Sequence, residues 1–249
     1  MGSRVYGKNI AVDKEAIQEF YYDRSRKFSK EAPYVSVLFQ DLNPELARRR
    51  DQFEKELVLP ILNASKNDRV LDVGCGVGRW AEVLLDKVKM YHGTDPCAPL
   101  IEIALDRFRD NESASFQTIA AQDGSPTRLD RQPPFSLVLL AGVLQYLDDE
   151  DCIESLRHIA LCSGDAARIY IRIPIGIAER MTLDRHWSDE LEHEYSAIYR
   201  TREEYLQMIN SILVPAGFTV DVDQPLYPSD LNNRTETRQH IFILSKGGG

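Results

Sequence analysis

The run Arg69-Val70-Leu71-Asp72-Val73-Gly74-Cys75-Gly76-Val77-Gly78-Arg79-Trp80 carries the strongest signal in the chain. A buried strand, Arg69 to Val73, leads directly into a glycine-rich turn, and the amphipathic segment Arg79 to Val88 reads as the helix that follows. Strand, tight glycine turn and helix make the nucleotide corner of a doubly wound sheet. Glycine is required there because the backbone turns sharply at the end of the strand and a ligand must approach it with no Cβ in between. A dinucleotide fingerprint G-x-G-x-x-G starting at Gly74 needs glycine or alanine at position 79, where Arg79 stands. The pattern is instead D-x-G-x-G-x-G, which implies no pyrophosphate.

On either side of this corner, short β-rich runs alternate with longer amphipathic segments, which predicts a mostly parallel α/β sheet. The strands are expected at Arg69–Val73, Met90–Thr94, Ser115–Ala120, Phe135–Leu140, Arg168–Ile173, Phe218–Asp223 and His240–Ser245. Pro225, Pro228 and Asn232-Asn233 break any helix between the last two, so the sheet should close with an antiparallel last strand. The expected fold class is Rossmann-like, with seven strands, helices on both faces and an N-terminal helical cap. In the cap, residues 1–66, Lys14 to Lys30 and Asn43 to Leu62 look helical, the second with Asn43 as N-cap and Pro44 in its first turn. Residues 67–249 form the main domain. Within it Gly176 to Arg200, dense in His, Trp, Tyr, Arg and acidic side chains, reads as a lid or pocket wall, or more plainly as a charged surface excursion. Met1-Gly2-Ser3 and Gly247-Gly248-Gly249 are set aside as frayed ends.

The 249 residues are 43% hydrophobic and 28% charged, enough for one sizeable core. A net charge of -9 argues against gripping a phosphate backbone over a broad surface and favours a small-molecule partner over nucleic acid. The longest apolar stretch, Phe135 to Leu147, is too short to span a bilayer, and no signal-peptide core opens the chain, so no membrane partner and a cytoplasmic location are expected. Cys75, Cys97, Cys152 and Cys162 lack paired metal-ligand spacing and read as reduced thiols inside regular elements. No metal site is expected, since Asp148-Asp149-Glu150-Asp151 suits the charged start of a helix better. A homodimer is compatible with the sequence.

Three further signals extend the glycine turn. Asp95, at the end of the second strand in Gly93-Thr94-Asp95-Pro96, can accept both hydroxyls of a ribose, a placement shared with nicotinamide-binding proteins. Asp123, before Gly124, could accept a hydrogen bond from an adenine amino group or serve simply as a turn residue. Phe135 to Leu147 runs from a buried strand into a turn whose carbonyls could receive an ammonium. An acid at Asp72 suits a cationic amino-acid moiety better than a phosphate. Together these point to S-adenosylmethionine (SAM).

The chain from Asp68 to Ser245 here resembles the class I SAM-dependent methyltransferases, particularly their small-molecule branch. The resemblance implies that Asp72, Gly74, Cys75, Gly76 and Gly78 border the methionine part and that Asp95 and Pro96 hold the ribose. It places Asp123 and Gly124 beside the adenine, and Ala141 to Tyr146, including Gln145, along the amino acid and the transferred methyl. The family's usual Val-Leu-x-His-Leu is here Val143-Leu144-Gln145-Tyr146-Leu147, so no catalytic histidine is carried to Tyr146. Phe20-Tyr21-Tyr22-Asp23-Arg24-Ser25 is similar to the capping helix of such enzymes and implies that Tyr22 closes over the donor. The product would be S-adenosylhomocysteine (SAH).

Methyl transfer is an in-line displacement, in which an alcohol acceptor needs a base and an amine need not. His186, beside Trp187, is the preferred base over His193, which stands between two glutamates, although either fits a charged surface loop. Tyr195 and Tyr199, four residues apart, would share one face of a helix, and Arg200 and Arg172 could grip an acidic or phosphorylated acceptor. The leading expectation is methylation of a hydroxyl on a sugar, glycosylated or phosphorylated metabolite. N-methylation of a small amine and a catalytically inactive SAM-fold binding protein are the alternatives. Arg79 and the lack of a Tyr-x-x-x-Lys pair disfavour a nicotinamide-dependent oxidoreductase.

Overall fold

A computed structural model describes residues 2–38 and 41–247. In chain order the elements are β1 (Ser3–Tyr6), α1 (Lys14–Ser25), α2 (Val35–Leu38), α3 (Pro44–Leu62), β2 (Arg69–Val73), α4 (Ala81–Leu84), β3 (Met90–Asp95), α5 (Ala98–Arg107) and β4 (Ala114–Thr118). There follow β5 (Phe135–Ala141), α6 (Asp149–Cys162), β6 (Ser163–Gly176), β7 (Met181–Ser188), β8 (His193–Tyr199), α7 (Arg202–Ile212), β9 (Thr219–Pro225) and β10 (Thr237–Lys246). Seven strands form one sheet in the order β4-β3-β2-β5-β6-β10-β9, in which β10 runs antiparallel to both of its neighbours. The chain reverses its direction of travel across the sheet between β2 and β5, so the crevice above their carboxyl ends is the ligand position of an open α/β sheet.

The helices bury the sheet on both faces. On one, α6 and α7 pack Leu156, Ile159, Tyr205 and Ile209 against Leu71, Val138 and Ile169. On the other, α3 and α4 set Val58, Leu62, Ala81 and Leu84 against Val70, Leu137 and Ile241. Asn43 caps α3 by accepting from the Leu46 amide, with Pro44 in the first turn, and α3 ends on Asn63 in the left-handed conformation.

Several expectations need correction. The first helix stops at Ser25, five residues short of Lys30. Between Arg79 and Val88 only Ala81–Leu84 is helical, the rest being turns. Ser3, set aside as a frayed end, pairs in β1, while Met1, Gly248 and Gly249 lie outside the described residues. Cys75 sits in the glycine turn and Cys97 at the start of α5, not inside regular elements, and all four cysteines are buried free thiols. The 176–200 excursion is a β-hairpin, β7 with β8, which β1 joins as a third antiparallel strand. Phe20 of α1 packs with Met181, Leu183, Tyr195 and Ala197 on this small sheet and with Tyr146, which ties the sheet to the end of β5.

Candidate active site

A cavity of about 780 Å³ opens above β2 and β5, lined by residues from α1, the glycine turn, the β5 end, the small sheet and the loop before β10. Its floor is built by the glycine turn. Gly74 and Gly76 have φ of +73° and +53°, and a Cβ on Gly76 would lie 2.9 Å from a Val37 methyl. Asp95 locks the turn to the next strand, its two carboxylate oxygens accepting from the Gly76 amide at 3.0 Å and the Cys97 amide at 2.9 Å. Burial pushes the Asp95 carboxyl up to about 6. Pro96, Ala141, Gln145 and Tyr146 line the same cavity. Gln145 donates to the Gly142 carbonyl at 2.8 Å, and its own amide oxygen is buried without a partner.

Other expected residues lie outside the lining. Asp72 is buried beneath the turn, accepting from the Tyr91 hydroxyl, and burial raises its carboxyl to about 7. Cys75 points to Gly93 within the sheet, and Gly78 faces Phe108. Asp123 turns to solvent and pairs with Arg128 at 2.7 Å, while the Gly124 backbone abuts Ala121 rather than the cavity. The neighbouring Gln122 does line the cavity, with a buried side-chain oxygen that has no partner. Tyr22 is half exposed, its ring under the Arg26 guanidinium, and Tyr21 lines the cavity edge-on to Tyr146. Gln122 beside Asp123 and Tyr21 beside Tyr22 each reach the cavity from one residue earlier, as the phase of a helix or tight turn decides.

His186, Trp187, Tyr195, Tyr199 and Arg172 all line the cavity. Trp187 is 57% exposed at the rim, its indole nitrogen donating to Asp189 at 3.0 Å. The Tyr195 hydroxyl lies 2.9 Å from that of Tyr146, and burial raises the pKa of Tyr21, Tyr146, Tyr195 and Tyr199, which keeps these phenols protonated. Tyr195 and Tyr199 share a face of strand β8, not of a helix. Arg172 is held by Glu54 of α3 at 3.3 Å and donates to the Ala141 carbonyl at 3.2 Å. Arg200 is fully buried outside the lining, donating to Asp149 at 2.7 Å and to the carbonyls of Leu144 and Leu147 at 3.0 and 2.8 Å. It clamps the β5–α6 turn and is not positioned to reach an acceptor. His193 bonds its own neighbour's carbonyl and faces Asp23.

Among the described residues, no group of three or more His, Cys, Asp or Glu side chains could hold a metal ion, and no helix is long and apolar enough to cross a membrane.

A family model described as a methyltransferase domain matches residues 39–221. A search of curated proteins gives no match. Among solved structures, the phosphoethanolamine N-methyltransferase 1 of Haemonchus contortus is 19% identical at a TM-score of 0.68, over 96% of this chain and 50% of that one. The 1,6-didemethyltoxoflavin-N1-methyltransferase of Burkholderia thailandensis is 13% identical at a TM-score of 0.65, over 100% and 96% of the two chains. The magnesium protoporphyrin IX methyltransferase of Synechocystis PCC 6803 is 16% identical at a TM-score of 0.61, over 96% and 100%. These likenesses concern the fold, and the family model, which covers well over half of the sequence, adds the activity: the chain belongs to the class I SAM-dependent methyltransferases.

Proposed function

We propose that the protein transfers a methyl group from SAM to a hydroxyl of a polar small molecule, a sugar, glycosylated or phosphorylated metabolite, with His186 as general base. The observation that carries the oxygen acceptor is that His186 is the one histidine among the described residues lining the cavity. The lining tyrosines, their pKa raised by burial, are donors at neutral pH and poor bases.

The residues fit the donor. Asp95 would accept the ribose hydroxyls, the partnerless oxygen of Gln122 an adenine amino hydrogen, and the carbonyls at Ala141 and Gly142, with the free oxygen of Gln145, an ammonium. SAM supplies an electrophilic methyl on a sulfonium. With the donor bound, His186 would take the proton of the acceptor's hydroxyl as the methyl passes from sulfur to oxygen, with SAH and an ether as products. The protonated tyrosines and Arg172 orient the acceptor, and the small sheet shields it from water.

Methylation of an amine nitrogen is the second reading. Two of the similar structures are N-methyltransferases, and a positioned amine needs no base.

Calorimetric titration with SAM, SAH and NADH tests the donor, beside Gly76→Arg, whose side chain would fill the turn. Sulfur ligands alone should bind, and only to the unsubstituted protein. With an acceptor in hand, His186→Ala should lower kcat by roughly 10²- to 10⁴-fold with SAH affinity unchanged. An unchanged kcat moves the assignment to an amine acceptor.

A further inference from the structure

Among the described residues five arginines line the same cavity, and three of them, Arg50 of α3, Arg172 of β6 and Arg234 of the loop before β10, lie near enough for Arg172 and Arg234 to act on the charge of Arg50. Two of these three have carboxylate partners, Glu54 for Arg172 and Glu190 for Arg234. Arg50 has none within ion-pair distance among the described residues. Its Nε and Nη2 donate to the Leu231 carbonyl at 2.8 and 2.6 Å, and Nη2 also donates to Asn233 Oδ1 at 2.7 Å. The guanidinium is 5.3 Å from the centre of the Tyr227 ring. These contacts fix the plane of the guanidinium with neutral groups and leave both hydrogens on Nη1 without a protein acceptor among the described residues. The lining also holds acids, among them Asp189, Glu190 and Glu236, so the charge around Arg50 is mixed. Glu54 is shared between Arg172 and Arg79, and burial together with the charges of Arg234 and Arg172 lowers the pKa of Arg50. Arg50 is thus a pre-oriented cation without a carboxylate partner among the described residues, beside two arginines that have one.

We infer that the methyl acceptor carries an anionic group, a phosphomonoester or a carboxylate, seated on Arg50 with Arg172 and Arg234 around it. This rests on the methyltransferase reading above. With Nε and Nη2 engaged, Arg50 offers an anion the hydrogens of Nη1 alone, a single-nitrogen charge-assisted contact to which Arg172 and Arg234 would add theirs.

The test is calorimetric titration of phenyl phosphate, benzoate and phenyl β-glucoside into the protein saturated with SAH. At least one anion should bind ten or more times tighter than the neutral glucoside, and whichever anion is tighter names the group. Arg50→Met should lose ten-fold or more of that affinity with SAH binding retained, and Arg50→Lys should recover part of it. Should Arg50→Met fail to fold, Arg234→Gln is read in the same titration for a loss of at least three-fold. Equal binding of the glucoside, or anion binding unchanged in the variants, overturns the inference while SAH binding keeps the donor assignment intact. Failure of SAH to bind removes both.

Discussion

Asp95 does two things with one carboxylate: it pins the glycine turn through backbone amides and presents its edge to the cavity. Held at about 6 by burial, it must be ionised to accept a pair of ribose hydroxyls, so donor binding below that pH releases a proton. SAH affinity is therefore expected to fall as pH drops through 6, by up to about ten-fold per unit, and Asp95→Asn should bind weakly with a flat profile. Calorimetry at several pH values checks both. The same upward shifts act on folding in the opposite sense. Asp72 and Asp95 have folded pKa values of about 7 and 6, above the ordinary 3.8, so the folded state holds their protons more tightly than the unfolded chain. Their stabilisation is complete below 3.8 and lost as pH rises toward 6 and 7. Asp72→Asn should accordingly flatten the dependence of the ligand-free protein's Tm on pH between about 4 and 7. At this scale the sequence was legible where backbone dictates chemistry, as at Gly74, Gly76 and Asp95, and illegible where a single residue of phase decides. Tyr21 and Tyr22 are equally aromatic, and only the packing of α1 against β8 selects which one meets Tyr146.

Strand β8 delivers Tyr195 and Tyr199 to the cavity and hands Arg200, the next residue, to the β5–α6 turn. A four-residue spacing puts two side chains on one face of either a helix or a strand, so the tyrosine pair was readable while its element was not. Arg200 reads from sequence as one more cation near the pocket. Its role depends on Asp149, some fifty positions earlier, which also receives Arg180 at 2.8 Å. Arg200→Ala strands the carbonyls of Leu144 and Leu147 and weakens that buried pairing, so it should destabilise the protein by about 3–5 kcal/mol, measured by urea denaturation. The turn it fixes carries Gln145 and Tyr146, and SAH affinity should fall with it. Arg79, just before α4, reaches Asp51 at 2.7 Å and Glu54 at 3.0 Å on α3, partners that local periodicity does not reveal.

For the molecule as a whole, the alternation of strands and helices and the closing antiparallel strand were plain in the sequence because each is a local pattern. The position of β10 between β6 and β9, and the union of β1 with the 176–200 excursion, were not, since both are pairings between distant segments. One molecule-wide expectation follows from the ligand site joining these parts. SAH at about 100 times its Kd should add about 2.7 kcal/mol to stability, raising Tm by roughly 5–10 °C, and Gly76→Arg should show no such shift. The register Ser3↔Asp184 closes a loop that spans most of the chain, so joining β1 to the local β7–β8 hairpin carries a larger loop-closure cost than the hairpin itself. The outer strand β1 is largely exposed, whereas β2 and β5 are almost wholly enclosed. In hydrogen exchange, the amides of β1 and β7 should therefore release their protons well before those of β2 and β5. On that expectation the small sheet beside the cavity loosens as a unit of its own while the floor beneath it stays folded, so the pocket's walls and its base belong to parts of unequal stability.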